Sequence, residues 1–277
     1  MASDKEIVFI TGGNTGLGYE VVRALYKSPR AYEIIVGCRT VSKGEDAIAT
    51  LQKEVPQSAS TLSVQQADLE SDASLEKAID AISAKHGGRL DVLINNGGAS
   101  FDNDIAAGTR TTREAFNAMW DVNVSGTHVL TQLAAPLLLK STKGPRLLFV
   151  TSGTSTLAET EVFDTPMGQR LNASPAAGWP KQNPPGSMAI TGYRSAKTGL
   201  NMLMREWARI LREDGVRVWA VSPGFLATGL GGVGAERLKQ AGALDPAVGG
   251  ETVRDVVEGK RDGEVGKVVR RDMVQPW

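Results

Sequence analysis

Short apolar runs alternate with longer amphipathic stretches along most of this 277-residue chain. Apolar runs without polar alternation are typical of strands buried on both faces of a parallel sheet. The stretches between them place apolar residues three and four apart, which predicts helices packed on that sheet. The predicted strands are residues 7–10, 34–36, 61–66, 91–95, 147–150 and 216–221. The predicted helices are residues 19–26, 42–55, 72–86, 113–139 (as one helix or two) and 191–212.

Six strands that alternate with helices predict one α/β domain over residues 1–277, a Rossmann-type doubly wound parallel sheet with helices on both faces. Residues 153–189 break the alternation, since they are rich in Pro, Gly and Ser and lack periodicity. Long segments of this kind are usually functional or disordered, so we predict a loop-rich insertion. A domain linker is the alternative, disfavoured because the alternation resumes in step. Residues 225–277 are predicted to carry the substrate loops.

Composition excludes several classes of function. Lys plus Arg and Asp plus Glu both number 31, and zero net charge argues against binding nucleic acid by bulk attraction. A single cysteine excludes an intrachain disulfide framework and fits a reducing compartment. No apolar stretch approaches about 18 residues, and residues 1–6 are polar, so neither a membrane span nor a signal peptide is expected. His86 and His128 are isolated, so no metal site is predicted. We expect a cytoplasmic protein.

A glycine-rich turn, T-G-G-N-T-G-L-G at residues 11–18, follows the first strand. Glycines at this place allow a sharp turn and close backbone approach to a pyrophosphate, at which the next helix aims its first amides. Gly12, Gly16 and Gly18 have the spacing G-x-x-x-G-x-G rather than G-x-G-x-x-G. Their position inside a βαβ unit predicts dinucleotide binding, with a merely tight connection as the alternative.

The end of the second strand indicates which dinucleotide. An NAD-binding protein usually has an acid there for the ribose 2′-hydroxyl, whereas this chain reads V-G-C-R-T and has Arg39. A planar guanidinium can bind a 2′-phosphate with two parallel hydrogen bonds, so NADPH is predicted. The alternative is that Arg39 is a solvated surface charge. Cys38 beside it is expected to be a buried thiol at the strand end.

Tyr193 and Lys197 are four residues apart at the start of a predicted helix and therefore share one face. A tyrosine has an ordinary pKa of about 10, and a nearby ammonium would lower it. Ser152 ends the fifth strand, so its hydroxyl is expected at the carboxyl edge of the sheet, where ligands of such folds bind.

In this order, these motifs resemble the short-chain dehydrogenases/reductases over almost the whole chain. The residues that carry the resemblance are Thr11 to Gly18, the segment N-N-G-G at 95–98, Asn123, Ser152, Tyr193, Lys197, Pro223 and Gly224. The chain looks most like the carbonyl reductase branch, because of its T-G-G-N turn, Arg39, the insertion before the tyrosine and a short tail ending in Trp277.

The resemblance implies that Tyr193 is the general acid, that Lys197 lowers its pKa and holds the nicotinamide ribose, and that Ser152 polarises the carbonyl. Asn123 would hold a water that links Lys197 to solvent. The residues implied to bind the cofactor are Gly12, Asn14, Thr15, Gly16, Leu17, Gly18, Arg39, Asp68, Leu69, Asn95, Gly97, Tyr193, Lys197, Pro223, Gly224, Leu226 and Thr228.

Two features depart from the family pattern. Gly97 stands where the family has alanine, and Ser152 precedes Tyr193 by 41 residues, a longer gap than in most members. The serine assignment therefore has neighbouring alternatives, which are Thr151, Thr154 and Ser155.

Together these features predict an NADPH-dependent reductase that transfers a hydride to the carbonyl of a small ketone, aldehyde or quinone, or oxidises the alcohol in reverse. The alternatives are a non-catalytic dinucleotide-binding sensor or scaffold and an epimerase or dehydratase. A monomer is expected if the insertion covers the helices through which relatives pair, with a dimer as the alternative. Trp120, Trp207 and Trp219 are predicted core residues, and Phe163, Met167, Trp179 and Met188 either line the substrate pocket or pack the insertion.

Overall fold

The structure is a computed structural model that describes residues 5–277, so residues 1–4 of the polar start lie outside it. The strands are β1 (Glu6–Thr11), β2 (Tyr32–Cys38), β3 (Thr61–Gln66), β4 (Val92–Asn95), β5 (Arg146–Val150), β6 (Arg217–Val221) and β7 (Val268–Val269). The helices are α1 (Gly16–Tyr26), α2 (Val41–Glu54), α3 (Asp72–Lys85), α4 (Asp102–Ala106), α5 (Thr112–Trp120), α6 (Gly126–Leu138), α7 (Pro166–Asn172), α8 (Thr191–Ile210), α9 (Ala235–Gln240) and α10 (Pro246–Val257).

Within residues 5–277 the seven strands form one parallel sheet in the order β3-β2-β1-β4-β5-β6-β7. The order reverses direction at β1, which pairs with both β2 and β4. Ligands of open α/β sheets bind at such a switch point, outside the carboxyl ends of the strands. The fold is therefore the predicted doubly wound α/β fold.

Alternate residues along each strand supply two cores, one on each face of the sheet. On one face Phe9, Leu93 and Phe149 pack against α3, α6 and α8. On the other face Ile10 and Trp219 pack against α1, α2 and α10. Burial of the strands on both faces explains why their sequences are apolar without alternation.

Two of the three tryptophans that were predicted to lie in the core are buried. Trp207 and Trp219 are buried as predicted, but the prediction for Trp120 is wrong, because 48% of its side chain is exposed. Trp120 ends α5 on the outer side of that helix, where its ring lies over Gly199 of α8. The prediction rested on the helical spacing of apolar residues around Trp120. In the structure the Trp120 side chain faces away from the sheet.

The insertion at 153–189 is partly ordered as α7 and two short 3₁₀ turns rather than as loop alone. It packs at the mouth of the sheet, since Arg170 Nη1 donates to the carbonyl oxygen of Ala241 (2.9 Å). Trp120 and Met202 remain exposed on the outer faces of α5 and α8. The insertion therefore leaves these two helix positions uncovered, and the expected monomer stays a prediction.

None of the helices between residues 5 and 277 has the length and apolar character needed to cross a membrane.

Candidate active site

A large cleft opens at the carboxyl edge of the sheet, next to the switch point. Its volume is about 1740 Å³, which exceeds the roughly 300–1,000 Å³ of an ordinary small-molecule pocket. The turns after β1, β4, β5 and β6 form its floor, and the insertion and residues 223–244 form its outer walls. The cleft is therefore large enough for two ligands side by side.

The glycine turn after β1 fits a pyrophosphate. Gly12 and Gly16 have φ values of 62° and 54°, which an L side chain rarely adopts. A Cβ at Gly18 would collide with the carbonyl oxygen of Gly12, so the turn and the first turn of α1 require direct backbone contact. The helix α1 begins at Gly16, so its first amides lie at the cleft, as binding of an anion needs.

The turn after β4 is joined to the glycine turn by Thr11 and Asn96. Thr11 Oγ1 accepts from the backbone N–H of Asn96 (3.1 Å) and of Gly97 (2.8 Å), and Asn96 Nδ2 donates to the carbonyl oxygen of Thr11 (2.8 Å). The structure does not bring Asn95 to the cleft: it is 3% exposed, and its Nδ2 donates to Thr131 Oγ1 on α6. Successive strand residues face opposite sides, so Asn96 rather than Asn95 faces the glycine turn.

Arg39 lies at the rim of the cleft, where 72% of its side chain is exposed. Its Nη1 is 3.6 Å from Glu70 Oε2, an exposed ion pair of little strength. This position is compatible with binding of a 2′-phosphate and also with a solvated surface charge, so both alternatives remain open. Cys38 before it is buried at the end of β2, as predicted, and burial raises the pKa of its thiol.

Ser152 follows β5 and its hydroxyl is fixed by the next turn. Ser152 Oγ accepts from the backbone N–H of Thr154 (3.1 Å) and lies 2.9 Å from Thr154 Oγ1. Of the alternatives, Thr151 directs its hydroxyl to Asn201 Oδ1 on α8, and Ser155 is buried beneath the turn. Ser152 and Thr154 both line the cleft, and their hydroxyls are not taken up by α8.

Tyr193 lies in the first turn of α8, opposite Ser152. The carboxylate of Asp102 on α4 accepts from the backbone N–H of Gly192 (2.8 Å) and of Tyr193 (3.0 Å), which fixes the start of the helix. Burial raises the pKa of the Tyr193 phenol to about 12, and a hydrogen bond from the Ser152 hydroxyl opposes this rise. The predicted lowering of this pKa by Lys197 is therefore not what the protein alone shows, because desolvation of the phenolate dominates.

Lys197 and Asn123 meet below Gly98. A Cβ on Gly98 would lie 3.2 Å from Lys197 Nζ and 2.7 Å from Asn123 Oδ1. Lys197 is 3% exposed, its Nζ donates to the carbonyl oxygen of Val150 (3.0 Å), and burial lowers its pKa to about 8. Within residues 5–277 its other two N–H groups donate to no protein acceptor. The ammonium is thus positioned at the cleft with capacity for further hydrogen bonds.

Asn123 itself is fully buried and does not line the cleft. It lies in a π-helical turn, residues 121–125, between α5 and α6, and such turns often occur at functional sites. Its Nδ2 donates to the carbonyl oxygens of Met119 (2.7 Å) and Ala99 (2.8 Å). Its Oδ1 accepts weakly from the backbone N–H of Ala99 (3.4 Å) and lies towards Gly98 and Lys197.

Most of the other predicted residues line the cleft. Those on the cofactor side are Gly12, Asn14, Thr15, Gly16, Leu17, Gly18, Arg39, Asp68, Leu69, Gly97, Tyr193, Lys197, Pro223, Gly224, Leu226 and Thr228. From the insertion, Met167 and Met188 line the cleft, whereas Phe163 and Trp179 are exposed outside it. Over residues 5–277 no three His, Cys, Asp or Glu side chains are grouped as metal ligands.

The positioning roles of Asp102 and Asn96 were not predicted from the sequence. Asn96 could have been found from strand alternation, because its side chain must face opposite to that of Asn95. Nothing in the sequence around Asp102 indicates that its carboxylate holds the start of a helix 90 residues later. Such a contact depends on the packing of α4 against α8.

The fold and the cleft define an α/β protein of the dinucleotide-binding type, and comparisons with known proteins identify its family. A family model described as short chain dehydrogenase matches residues 6–163 and 183–237. The chain therefore belongs to the short-chain dehydrogenase/reductase family, whose members are oxidoreductases that use nicotinamide dinucleotides. The unmatched residues between the two ranges fall inside the insertion.

Two curated relatives are similar over their full lengths. The chain is 46% identical to the short-chain dehydrogenase/reductase eupG of Phoma sp, covering 100% of this chain and 99% of that protein. It is 43% identical to the short-chain dehydrogenase/reductase tropE of Talaromyces stipitatus, covering 99% of each. Among solved structures, an NADPH-bound carbonyl reductase from chicken fatty liver aligns with a TM-score of 0.75 over 99% of both chains at 19% identity, which shows the shared fold.

Proposed function

We propose that this protein is an NADPH-dependent reductase that converts the carbonyl of a small ketone, aldehyde or quinone to the alcohol. The observation that carries the proposal is the convergence of Ser152, Tyr193 and Lys197 on one wall of a cleft whose neighbouring wall is the glycine turn. A structural cluster without chemistry would not need a half-buried phenol and a buried ammonium at the edge of the same cavity.

When bound, a reduced nicotinamide would supply the hydride to the substrate carbon. The side chains of the protein supply the proton to the carbonyl oxygen. With a pKa of about 12, the Tyr193 phenol stays protonated at neutral pH and can give its proton to the carbonyl oxygen. The Ser152 hydroxyl, held by Thr154, donates a hydrogen bond to that oxygen and stabilises the charge that develops on it.

Lys197 is proposed to restore the proton. Its pKa of about 8 leaves it an ammonium at neutral pH, and its unused N–H donors can hold the nicotinamide ribose and the path to Tyr193. The Oδ1 atom of Asn123, directed towards the same place, is suited to hold a water that connects Lys197 with solvent.

The preference for NADPH over NADH rests on Arg39 and on the absence of a carboxylate in V-G-C-R-T at the end of β2. The side chain is exposed at the cleft rim and its pairing with Glu70 is weak, so a 2′-phosphate can displace it. A guanidinium–phosphate pair with two hydrogen bonds is among the stronger charge-assisted contacts.

The test is a spectrophotometric screen for NADPH consumption over quinones, aromatic ketones, aldehydes and keto esters, with NADH in parallel. The proposal predicts turnover of at least one class with a lower KM for NADPH than for NADH. Tight NADPH binding without oxidation over the whole panel contradicts it and favours a sensor or scaffold. Conversion of a substrate without net oxidation of the cofactor favours an epimerase or dehydratase.

A further inference from the structure

One buried amide near the end of the chain stands out from its neighbours. Gln275 is 1% exposed, whereas residues 271–274, 276 and 277 are exposed. Burying an amide is unfavourable unless its polar atoms find partners. The partners of Gln275 therefore indicate what the tail is built to hold.

Those partners lie in the turn that carries Ser152. Gln275 Nε2 donates to the carbonyl oxygen of Ser152 (3.3 Å) and to Ser155 Oγ (3.4 Å). Its Oε1 accepts from Arg270 Nε (2.9 Å), and its backbone N–H donates to the carbonyl oxygen of Val268 in β7 (2.8 Å). Because arginine can only donate, its contact requires the amide oxygen on that side, which directs the Nε2 donors at Ser152.

A second tail residue, Arg270, holds the other side of the Ser152 turn through an ion pair. Arg270 Nη1 donates to Glu159 Oε1 (2.8 Å), and Arg270 Nη2 to the carbonyl oxygen of Gly153 (3.4 Å). The tail thus holds both peptide oxygens on either side of the Ser152–Gly153 bond and the first part of the insertion.

The same carbonyl oxygen of Ser152 also accepts from the backbone N–H (3.2 Å) and from the Oγ (2.6 Å) of Ser155. Ser155 Oγ in turn accepts from Asn201 Nδ2 on α8 (2.9 Å). This network connects the peptide of Ser152 to the tail and to the helix that carries Tyr193, so it sets the direction of the Ser152 hydroxyl relative to the phenol.

From these contacts we propose that Gln275 is a positioning residue for Ser152: its amide fixes the Ser152 peptide so that the hydroxyl faces both Tyr193 and the substrate carbonyl. The inference rests on the proposed reductase function. It assigns a role in turnover to the C-terminal tail, residues 270–277. Gln275 itself contacts neither the glycine turn nor Lys197.

The test compares Gln275→Glu and Gln275→Met with the wild type and with Val274→Thr. The Glu side chain keeps an oxygen for Arg270 but has no donor for Ser152, and the Met side chain has a similar length without either group. Val274 is a tail residue outside the cleft, so Val274→Thr controls for disturbance of the tail. The measured quantities are kcat and KM with NADPH and the best carbonyl substrate, and the pH profile of the reverse alcohol oxidation.

Misplacement of a reacting group by about 1 Å can cost on the order of 100-fold in rate. We therefore expect kcat to fall about tenfold or more in both Gln275 variants, with the KM for NADPH within about twofold of wild type and Val274→Thr unchanged. Loss of the Ser152 hydrogen bond should also move the acidic limb of the alcohol-oxidation profile, where activity rises as Tyr193 ionises, to higher pH, because that bond lowers the Tyr193 pKa.

Unchanged kcat in both variants overturns the inference, as does a lower kcat with an unshifted pH profile. If Gln275→Glu does not fold, Gln275→Met decides, and failure of both to bind NADPH shows a purely structural role and overturns it. Tyr193→Phe measured alongside separates the two proposals: loss of turnover there with normal Gln275 variants leaves the reductase function standing. A wild type without turnover contradicts both.

Discussion

Burial displaces the pKa values of Tyr193 and Lys197 in opposite directions. The phenolate and the ammonium are both disfavoured by loss of water, so the phenol pKa rises to about 12 and the lysine pKa falls to about 8. In the protein alone, Tyr193 is therefore a neutral acid and Lys197 a charged group close to its titration. This pair is suited to passing a proton towards a substrate oxygen.

Lys197→Met tests this electrostatic picture without substrate. Because the folded-state pKa of about 8 lies below the ordinary 10.5, the lysine contributes stability that is present above pH 10.5 and lost as pH falls through 8. At pH 7 we expect the variant to unfold with a free energy about 1–3 kcal/mol higher than wild type, and this advantage should shrink towards pH 10. Urea unfolding of the cofactor-free proteins at both pH values measures it; a variant less stable at pH 7 contradicts the assignment.

Arg39→Ala tests the cofactor preference. If the guanidinium binds a 2′-phosphate, its loss should raise the KM for NADPH about 10- to 100-fold, equivalent to about 1.5–3 kcal/mol for a hydrogen bond to a charged group, and leave the KM for NADH within about twofold. Steady-state kinetics with both cofactors measure this, and Arg212→Ala, at an exposed residue just after the end of α8, serves as control. Equal changes for the two cofactors would leave Arg39 as a solvated charge.

At this scale the sequence predicted positions better than orientations. Ser152, Tyr193 and Lys197 were found because their spacing and strand or helix context determine which edge or face they share. Asn95 was assigned to the cofactor although its neighbour Asn96 holds the glycine turn, and Trp120 was assigned to the core although it is exposed. Both cases concern which way a side chain faces at the end of an element, where the periodicity of the sequence constrains orientation least.

At the scale of elements, α8 depends on a carboxylate from α4. Asp102 is buried and accepts from the first amides of α8, which matches the charge preference of a helix N-terminus. Since Tyr193 is one of the two residues held, the contact joins helix stability to the placement of the phenol.

Asp102→Ala should therefore lower both stability and turnover. We expect a loss of about 1–2 kcal/mol in the free energy of unfolding, as for removal of a helix cap, together with a lower kcat. Asp104→Ala in the same helix, whose carboxylate forms an ion pair with Arg110 at the surface, is the matched control and should change stability by less than about 1 kcal/mol. Equal effects of the two substitutions would show that Asp102 has no special role at α8.

The long strands and helices before residue 222 were predictable because their burial imposes a period on the sequence, whereas the short helices α4 and α7 were not predicted. The elements after residue 222 were not predicted either. Strand β7 has two residues, too few for a pattern, and α10 contains Gly249 and Gly250, which argue against a helix. The structure explains Gly250: a Cβ there would collide with the backbone of Glu20, so the glycine allows α10 to pack directly on α1.

At the scale of the whole molecule, one sheet carries the glycine turn, the Ser152 turn and the loops after β6. The insertion lines the cleft and contacts the first turns of α8 through Arg194 and Thr198. The monomer expected from the sequence stays a prediction, although the insertion leaves Trp120 and Met202 exposed on α5 and α8. Multi-angle light scattering of the purified protein decides it: a mass near 29.4 kDa supports a monomer, and twice that mass or more contradicts it.

The central claim is that a protonated Tyr193 completes carbonyl reduction in this cleft. The most direct test is Tyr193→Phe, which removes one oxygen and leaves the ring that lines the site. NADPH titration by fluorescence should give a Kd within about threefold of wild type, and NADPH oxidation with the best carbonyl substrate should fall at least about 100-fold, as for loss of a general acid. A variant that binds NADPH and turns over at the wild-type rate would contradict the account.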